Sequence, residues 1–281
     1  FNIDSSDDSF HSNSSLTINS GTFTISSGDD GMHADAALTI NNGDINITKC
    51  YEGIESAVIT INGGNIAVNA SDDGINVAGG NDSSSTNGRP GQNNFSSSST
   101  NNLALNGGYI FVNAAGDGID VNGSITVTNG TIIVNGPTAD NNGALDYDGT
   151  FKMTGGFLVA AGSSGMAQAP DTSSTQYAAM INFTSAIKAN TIVHIESSSG
   201  ENILTFVPAK NYQSVVICSP ELKKGTTYNI YTGGSSTGTL KDGLYTDGSY
   251  TKGTKYDSFK ISSILTTVGT ISRGGPGGGR P

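Results

Sequence analysis

The chain has 281 residues, of which 13% are charged, with a formal net charge of −11 and 39 glycines. Such an acid excess argues against nucleic acid and anionic membrane as partners and points toward cations; no apolar run is long enough to span a bilayer. Low charge with abundant Ser, Thr, Asn and Gly suits an exported β protein. A secreted, extracellular location is therefore expected, with Phe1 either following a removed leader or beginning a piece of a longer chain.

From the first residues onward one phrase recurs. A degenerate copy, Asp7-Asp8-Ser9-Phe10-His11-Ser12, precedes Asp29-Asp30-Gly31-Met32-His33-Ala34 and Tyr51-Glu52-Gly53-Ile54-Glu55-Ser56. Then come Asp72-Asp73-Gly74-Ile75-Asn76-Val77, Gly116-Asp117-Gly118-Ile119-Asp120-Val121 and a shifted Ala144-Leu145-Asp146-Tyr147. Gly31 to Gly53 is 22 residues, Gly53 to Gly74 is 21, and Gly74 to Gly118 is 44, the excess being a low-complexity loop at 79–101. A second series (Gly21, Gly43, Gly64, Gly108, Gly130 and Gly156) agrees, except that its last interval is 26, which places a small insertion at 137–142. Within each unit lie three short alternating segments, such as Met32-His33-Ala34, Leu38-Thr39-Ile40 and Ile45-Asn46-Ile47. Apolar–polar–apolar alternation is the pattern of a strand with one buried face, and the Asn-Gly and Gly-Gly corners between segments allow positive φ. The fold class predicted is all-β: a parallel β-helix of about six coils of roughly 22 residues over 1–165.

Stacked coils turn every repeat position into a column. On the first strand, His11, His33, Glu55, Asn76, Asp120 and Asp146 are expected to face outward. Their neighbours Phe10, Met32, Ile54, Ile75, Ile119 and Leu145 on one side, and Ser12, Ala34, Ser56, Val77, Val121 and Tyr147 on the other, are expected to face inward. The corner before this strand stacks Asp8, Asp30, Glu52, Asp73 and Asp117, carboxylates about 5 Å apart. Like charges at that spacing repel by about 1 kcal/mol in water and by roughly 3 kcal/mol at an effective dielectric near 20. A bound divalent ion removes the repulsion, and calcium takes several oxygen ligands. The candidate metal ligands are Asp29, Asp30, Glu52, Glu55, Asp72, Asp73, Asp117, Asp120 and Asp146, and calcium is the cofactor expected. The plainer alternative is that each Asp braces its turn through backbone N–H groups. His11 and His33 are expected to stack as neighbours, without the further ligands of a zinc site.

On the second strand, Thr17, Thr39, Thr60, Ala104, Thr126 and Lys152 read as ordinary surface, and Asn19, Asn41, Asn62 and Asn106 as a structural amide ladder. The third strand presents Thr24, Asn46, Ala67, Phe111, Ile133 and Val159; the last three are apolar and need a cover. In the 79–101 loop, Arg89 would grip the carboxylate of an acidic sugar or pair with a nearby Asp. The chain has no Trp, so sugar contacts are expected from Tyr51, Tyr147 and Asp148 beside Arg89. Cys50 and Cys218 are read either as a disulfide or as two small buried residues.

Residues 166–180 break the repeat and read as a crossing segment. Strands at Ile181–Phe183, Thr191–Glu196, Ile203–Pro208, Ser214–Cys218, Thr226–Tyr231 and Ser258–Ile264 predict an antiparallel sheet over 181–268, packed on Phe111, Ile133 and Val159. Residues 269–281 read as a Gly/Pro tail. The first coil offers open strand edges, which template association.

The phrase Asp72-Asp73-Gly74-Ile75-Asn76-Val77-Ala78-Gly79-Gly80-Asn81-Asp82 resembles a family of secreted bacterial carbohydrate-binding β-helix proteins, best known from cellulolytic clostridia. So do Asn142-Gly143-Ala144-Leu145-Asp146-Tyr147-Asp148, the stretch Gly162-Ser163-Ser164-Gly165-Met166-Ala167-Gln168-Ala169-Pro170, and 240–246. The resemblance covers most of the chain. It implies a right-handed helix distantly similar to pectate lyases, bound calcium, and affinity for cellulose and for acidic pectin-like polysaccharides. Calcium ligation would then fall on the phrases at 29–31 and 72–74. The expected function is polysaccharide binding without cleavage. Two alternatives remain open: a self-assembling extracellular filament, a homo-oligomer built end to end or through the third face, and a calcium-dependent polysaccharide lyase using Lys49, Arg89 or Lys152 as base.

Overall fold

The computed structural model describes residues 1–78 and 100–270, so Arg89, most of the 79–101 loop and most of the tail lie outside the described residues. Within these bounds the chain is all-β. Six coils stack as a parallel β-helix with three sheets. The first-strand sheet runs His11–Ser12, Met32–Ala34, Ile54–Ser56, Ile75–Val77, Ile119–Val121 and Leu145–Tyr147. The second-strand sheet runs Ser15–Ile18, Ala37–Ile40, Val58–Ile61, Asn102–Leu105, Ser124–Val127 and Phe151–Met153.

Alternation sets which way each side chain faces. Leu38, Ile40, Ile45, Ile47, Ile59, Ile61, Ile66 and Val68 are fully buried in one continuous core. Register pairs Leu38 with Ile59 and Ile40 with Ile61, so like stacks on like from coil to coil. The corner between second and third strands needs a left-handed residue in every coil, and the second glycine series supplies it, with φ of +90° at Gly108. Outside this corner the amide ladder forms as expected: Asn41 donates to Asn19, Asn62 to Asn41 and Asn106 to Asn62, at 2.8, 2.8 and 2.9 Å. Asn101 donates to the Ala78 carbonyl at 3.2 Å, and Asn102–Leu105 takes its place between Val58–Ile61 and Ser124–Val127. The chain thus leaves the coil at Ala78 and rejoins it in register.

The third-strand sheet is longer than the helix. Its seven parallel strands, from Asn2–Asp4 to Phe157–Gly162, are followed by Tyr212–Cys218 antiparallel, then Ala178–Ile187 and Leu265–Val268. Two strands expected in the separate C-terminal sheet, Ile181–Phe183 and Ser214–Cys218, therefore continue the helix's own sheet. The reason is in the run Val215-Val216-Ile217-Cys218, which is buried on both faces. A continuous apolar run fits the middle of a two-sided layer and not a half-exposed sheet. Val216 and Cys218 join the coil core, while Val215 and Ile217 face the other way.

On that other side lies a six-stranded antiparallel sheet in the order Thr239–Lys241, Leu244–Thr246, Asn202–Phe206, Val193–Ser197, Thr227–Thr232, Thr254–Lys260. It packs Val193, Ile195, Leu204 and Phe206 over Ile133 and Val159, both fully buried, with Phe111 half-buried at the margin. The cover expected for the apolar third-strand column is this sheet. The crossing segment closes the last coil: Asp171 N–H donates to Phe151 O, Phe151 N–H to Asp171 Oδ2, and Met153 N–H to Ser174 Oγ. Cys50 and Cys218 are free thiols, each pushed up to about 12 by burial.

Candidate metal centre

The acidic corner is a real stack, and its spacing is maintained by the backbone. Asp8 Oδ1 accepts from Asp30 N–H at 3.1 Å, Asp30 Oδ1 from Glu52 N–H at 3.3 Å, and Asp73 Oδ1 from Asp117 N–H at 2.6 Å. Each of these carboxyl groups therefore braces the turn one coil ahead with one oxygen. Turn chemistry and cation binding are not exclusive here, because Asp8, Asp30 and Asp73 also belong to groups of closely spaced potential ligands.

The first-strand column differs from its expected exposure. It points away from the coil core, yet His33 and Asn76 are fully buried and Glu55 nearly so. Rung neighbours enclose these side chains. The His33 ring stacks on His11 at 5.0 Å and 6°. Its Nδ1 lies 2.9 Å from Glu55 Oε2 and 3.3 Å from Asp30 Oδ2, and its Nε2 lies 3.1 Å from Asp35 Oδ1. His11 is held between Asp8 and Asn13 and its pKa is raised, first by the Asp8 hydrogen bond.

The acids separate into adjoining groups along the axis. Asp30, Glu52 and Glu55 offer oxygens within 4.8 Å of one another, as do Asp73, Asp117 and Asp120. Asp7, Asp8 and Asp29 form a third such group, and Asp8, Asp30 and His33 a fourth. Burial raises the Asp30 carboxyl to about 9, with the Glu55 and Asp8 charges adding to it and His33 opposing. Burial likewise raises Asp73 to about 8, reinforced by Asp117, Asp72 and Asp120. Glu52 is pushed well above the carboxylate range by burial, then by Glu55 and Asp30. A corner that resists ionisation this strongly is one that a divalent cation would stabilise.

Two orphaned atoms test whether these residues fit such an ion. Asn76 Nδ2 donates to Glu52 Oε2 at 2.6 Å and holds the amide and carboxyl groups together. Glu52 Oε1 and Asn76 Oδ1 are both buried without a hydrogen-bond partner among the described residues. Buried oxygens are ordinarily satisfied. Two bare acceptors among carboxylates suit a hard cation that takes oxygen ligands.

The other expected ligands fall at the margins. Asp29 sits with Asp7 and Asp8. Asp72 lies beside the Tyr51 hydroxyl, whose pKa is raised by burial and then by Asp72. Asp146 accepts from Gln168 Nε2 at 2.8 Å. Of the expected sugar contacts, Tyr51 lies in the corner before Ile54–Ser56, and Tyr147 ends the first strand three coils further on. The Tyr147 hydroxyl donates to Ala169 O at 2.9 Å, its ring meets Phe151 edge-on, and Asp148 is exposed. The structure adds His33 and Asn76 to the centre. Their signal in the sequence was their column, shared with Glu55 and Asp120.

A second charged cluster, on the antiparallel sheet, pairs within itself. Lys252 Nζ meets Glu196 Oε1 at 2.5 Å, and the Tyr231 hydroxyl donates to the same oxygen at 3.2 Å. His194 stacks on Tyr250 at 3.8 Å, and burial lowers its pKa to about 4. Compared with family models, with curated proteins and with solved structures, the chain matches none.

Proposed function

We propose that this chain is an extracellular calcium-binding protein that holds plant cell-wall polysaccharide, cellulose or acidic pectin-like glycan, without cleaving it. The observation that carries this reading is the pair of bare buried oxygens, Glu52 Oε1 and Asn76 Oδ1, inside a file of carboxylates. Asp30, Glu52, Glu55 and Asn76 would supply oxygens to one ion, and Asp73, Asp117 and Asp120 to another. When bound, calcium neutralises the corner and offers open coordination positions to sugar carboxylates. The polysaccharide half of the reading rests on the resemblance of the repeat phrases and on the long flat faces that stacked coils present.

Binding is favoured over a lyase on the placement of two of the candidate bases, Lys49 and Lys152; the third, Arg89, lies outside the described residues. Lys49 and Lys152 are exposed on two different sheets, and neither forms an ion pair among the described residues. The test is retention of the purified chain on insoluble cellulose and on polygalacturonate, with calcium and with chelator. Retention lost with chelator is expected; no retention on either matrix overturns the reading. Release of unsaturated uronate, read by absorbance, would replace it with the lyase.

Self-assembly is a second reading with its own observation. Among the described residues, the ten-stranded sheet ends in Leu265–Val268, which pairs on one side only. An unpaired edge suits edge-on addition of a second copy. Electron microscopy at several calcium levels tests it, and monomers throughout would remove it.

A further inference from the structure

Away from the acidic corner, a groove of about 420 Å³ runs along the outer face of the third-strand sheet. Its floor is two rows of outward side chains crossing four coils. Register aligns Thr24, Asn46, Ala67 and Phe111 in one row, and Thr22, Asp44, Asn65 and Tyr109 in the other. Four rungs at the strand spacing span roughly 14 Å. Each row passes from hydroxyl and amide groups at one end to an aromatic ring at the other. Ala67 leaves a dent beside Phe111, where a longer side chain would fill the channel.

The wall is built by local turn chemistry. Asp242 and Gly243, at φ +50° and +86°, close a two-residue hairpin between Thr239–Lys241 and Leu244–Thr246, the conformation that Asp-Gly favours. The hairpin hangs over the floor and is fastened there. Lys241 Nζ lies 3.5 Å above the Tyr109 ring and 2.9 Å from Asn65 Oδ1. Asn65 Nδ2 in turn donates to Asp44 Oδ1 at 2.8 Å.

We propose that this groove binds a neutral oligosaccharide chain, one end stacked against Phe111 and the rest hydrogen-bonded to Asn46 and Thr24. The inference rests on the polysaccharide reading above and gives it a surface separate from the metal centre. Four features select the ligand. The channel is open and elongated, so the ligand is a chain rather than a compact cofactor. Amide and hydroxyl groups both donate and accept, as sugar hydroxyls require. An aromatic ring suits the C–H face of a pyranose. Charge excludes a uronate chain, because Asp44 in the floor and Asp242 in the wall outnumber Lys241 and would repel its carboxylates.

Isothermal titration of the calcium-loaded chain with cellohexaose and with hexagalacturonate tests the proposal. Cellohexaose is expected to bind. Phe111→Ala is expected to weaken it at least tenfold, and Asn46→Ala several-fold. Ala67→Arg, which fills the dent from the exposed face and leaves the core untouched, is expected to abolish it while calcium binding is unchanged. If Phe111→Ala fails to fold, as judged by circular dichroism, Asn46→Ala and Ala67→Arg still decide. Cellohexaose binding that is unaltered in both overturns the groove and leaves the polysaccharide reading standing. Binding of hexagalacturonate alone also overturns the groove. Binding of neither hexamer by the unsubstituted chain, together with no retention on the insoluble matrices, overturns both.

Discussion

At the scale of single residues, the acidic corner combines two tasks in the same side chains. One oxygen of Asp30 or Asp73 fixes the next turn through a backbone N–H, and the rest of the carboxyl group faces its neighbours in the stack. Glu52 is the residue on which this arrangement turns, since one of its oxygens is bonded to Asn76 and the other has no hydrogen-bond partner among the described residues. Glu52→Gln keeps the shape and removes the acid whose ionisation burial opposes. Without calcium the variant is expected to melt higher than the parent at pH 8, and with calcium it is expected to gain less. Calcium affinity should fall at least tenfold by calorimetry. A parent and variant with equal affinity would leave Glu52 as a structural residue. The repeat placed His33 in one column with His11 and Glu55; its burial and its contacts with Asp30, Asp35 and Glu55 came only from how the rungs close around it.

At the scale of the element, each coil is limited by how closely the next one lies against it. The corner glycine of the first series has no room for a side chain: a Cβ on Gly53 would run into the Gly74 carbonyl and Val68 Cγ1. Gly53→Ala is expected to destabilise the fold by about 1–3 kcal/mol, the range for an overpacked site. Gly108 is constrained by conformation, with φ at +90°, and Gly108→Ala is expected to cost roughly 1–2 kcal/mol. Urea unfolding checks both, and midpoints equal to the parent would contradict the tight corner. At the hairpin, Lys241→Met removes the charge over Tyr109 while keeping most of the stem. Its expected effect is a looser wall, read as faster amide exchange at residues 240–245 with little change in the melting temperature.

For the whole molecule, the buried acids couple stability to pH and to cations. Asp30 and Asp73 are raised by burial to about 9 and about 8, whereas a free Asp titrates near ~4. Between these limits the folded chain binds more protons than the unfolded one, so stability falls as pH rises. The contribution is fully present below about pH 4 and is lost by about pH 9. Metal-free protein is therefore expected to melt at a lower temperature at pH 8 than at pH 5.5. Calcium should restore the difference, and its increment should grow with pH, because ion and protons compete for the same oxygens. Scanning calorimetry with and without chelator checks this; a calcium increment independent of pH would place the ion elsewhere.

The sequence by itself determined the coil. Period, alternation and glycine placement are local properties, so the three strands per turn, the stacked corner acids and the amide ladder could all be read before any coordinates. It also showed that Phe111, Ile133 and Val159 needed a cover. The tertiary structure alone decided what becomes of the C-terminal strands, because antiparallel order and the split of Ala178–Ile187 and Tyr212–Cys218 from the outer sheet depend on which layer has both faces to bury. It alone decided that the first-strand column is enclosed, and that Lys241, 176 residues from Asn65, fastens a wall over the floor of a groove. Contacts between residues so distant in the chain follow from how layers close on one another, and no repeat in a single chain carries that information.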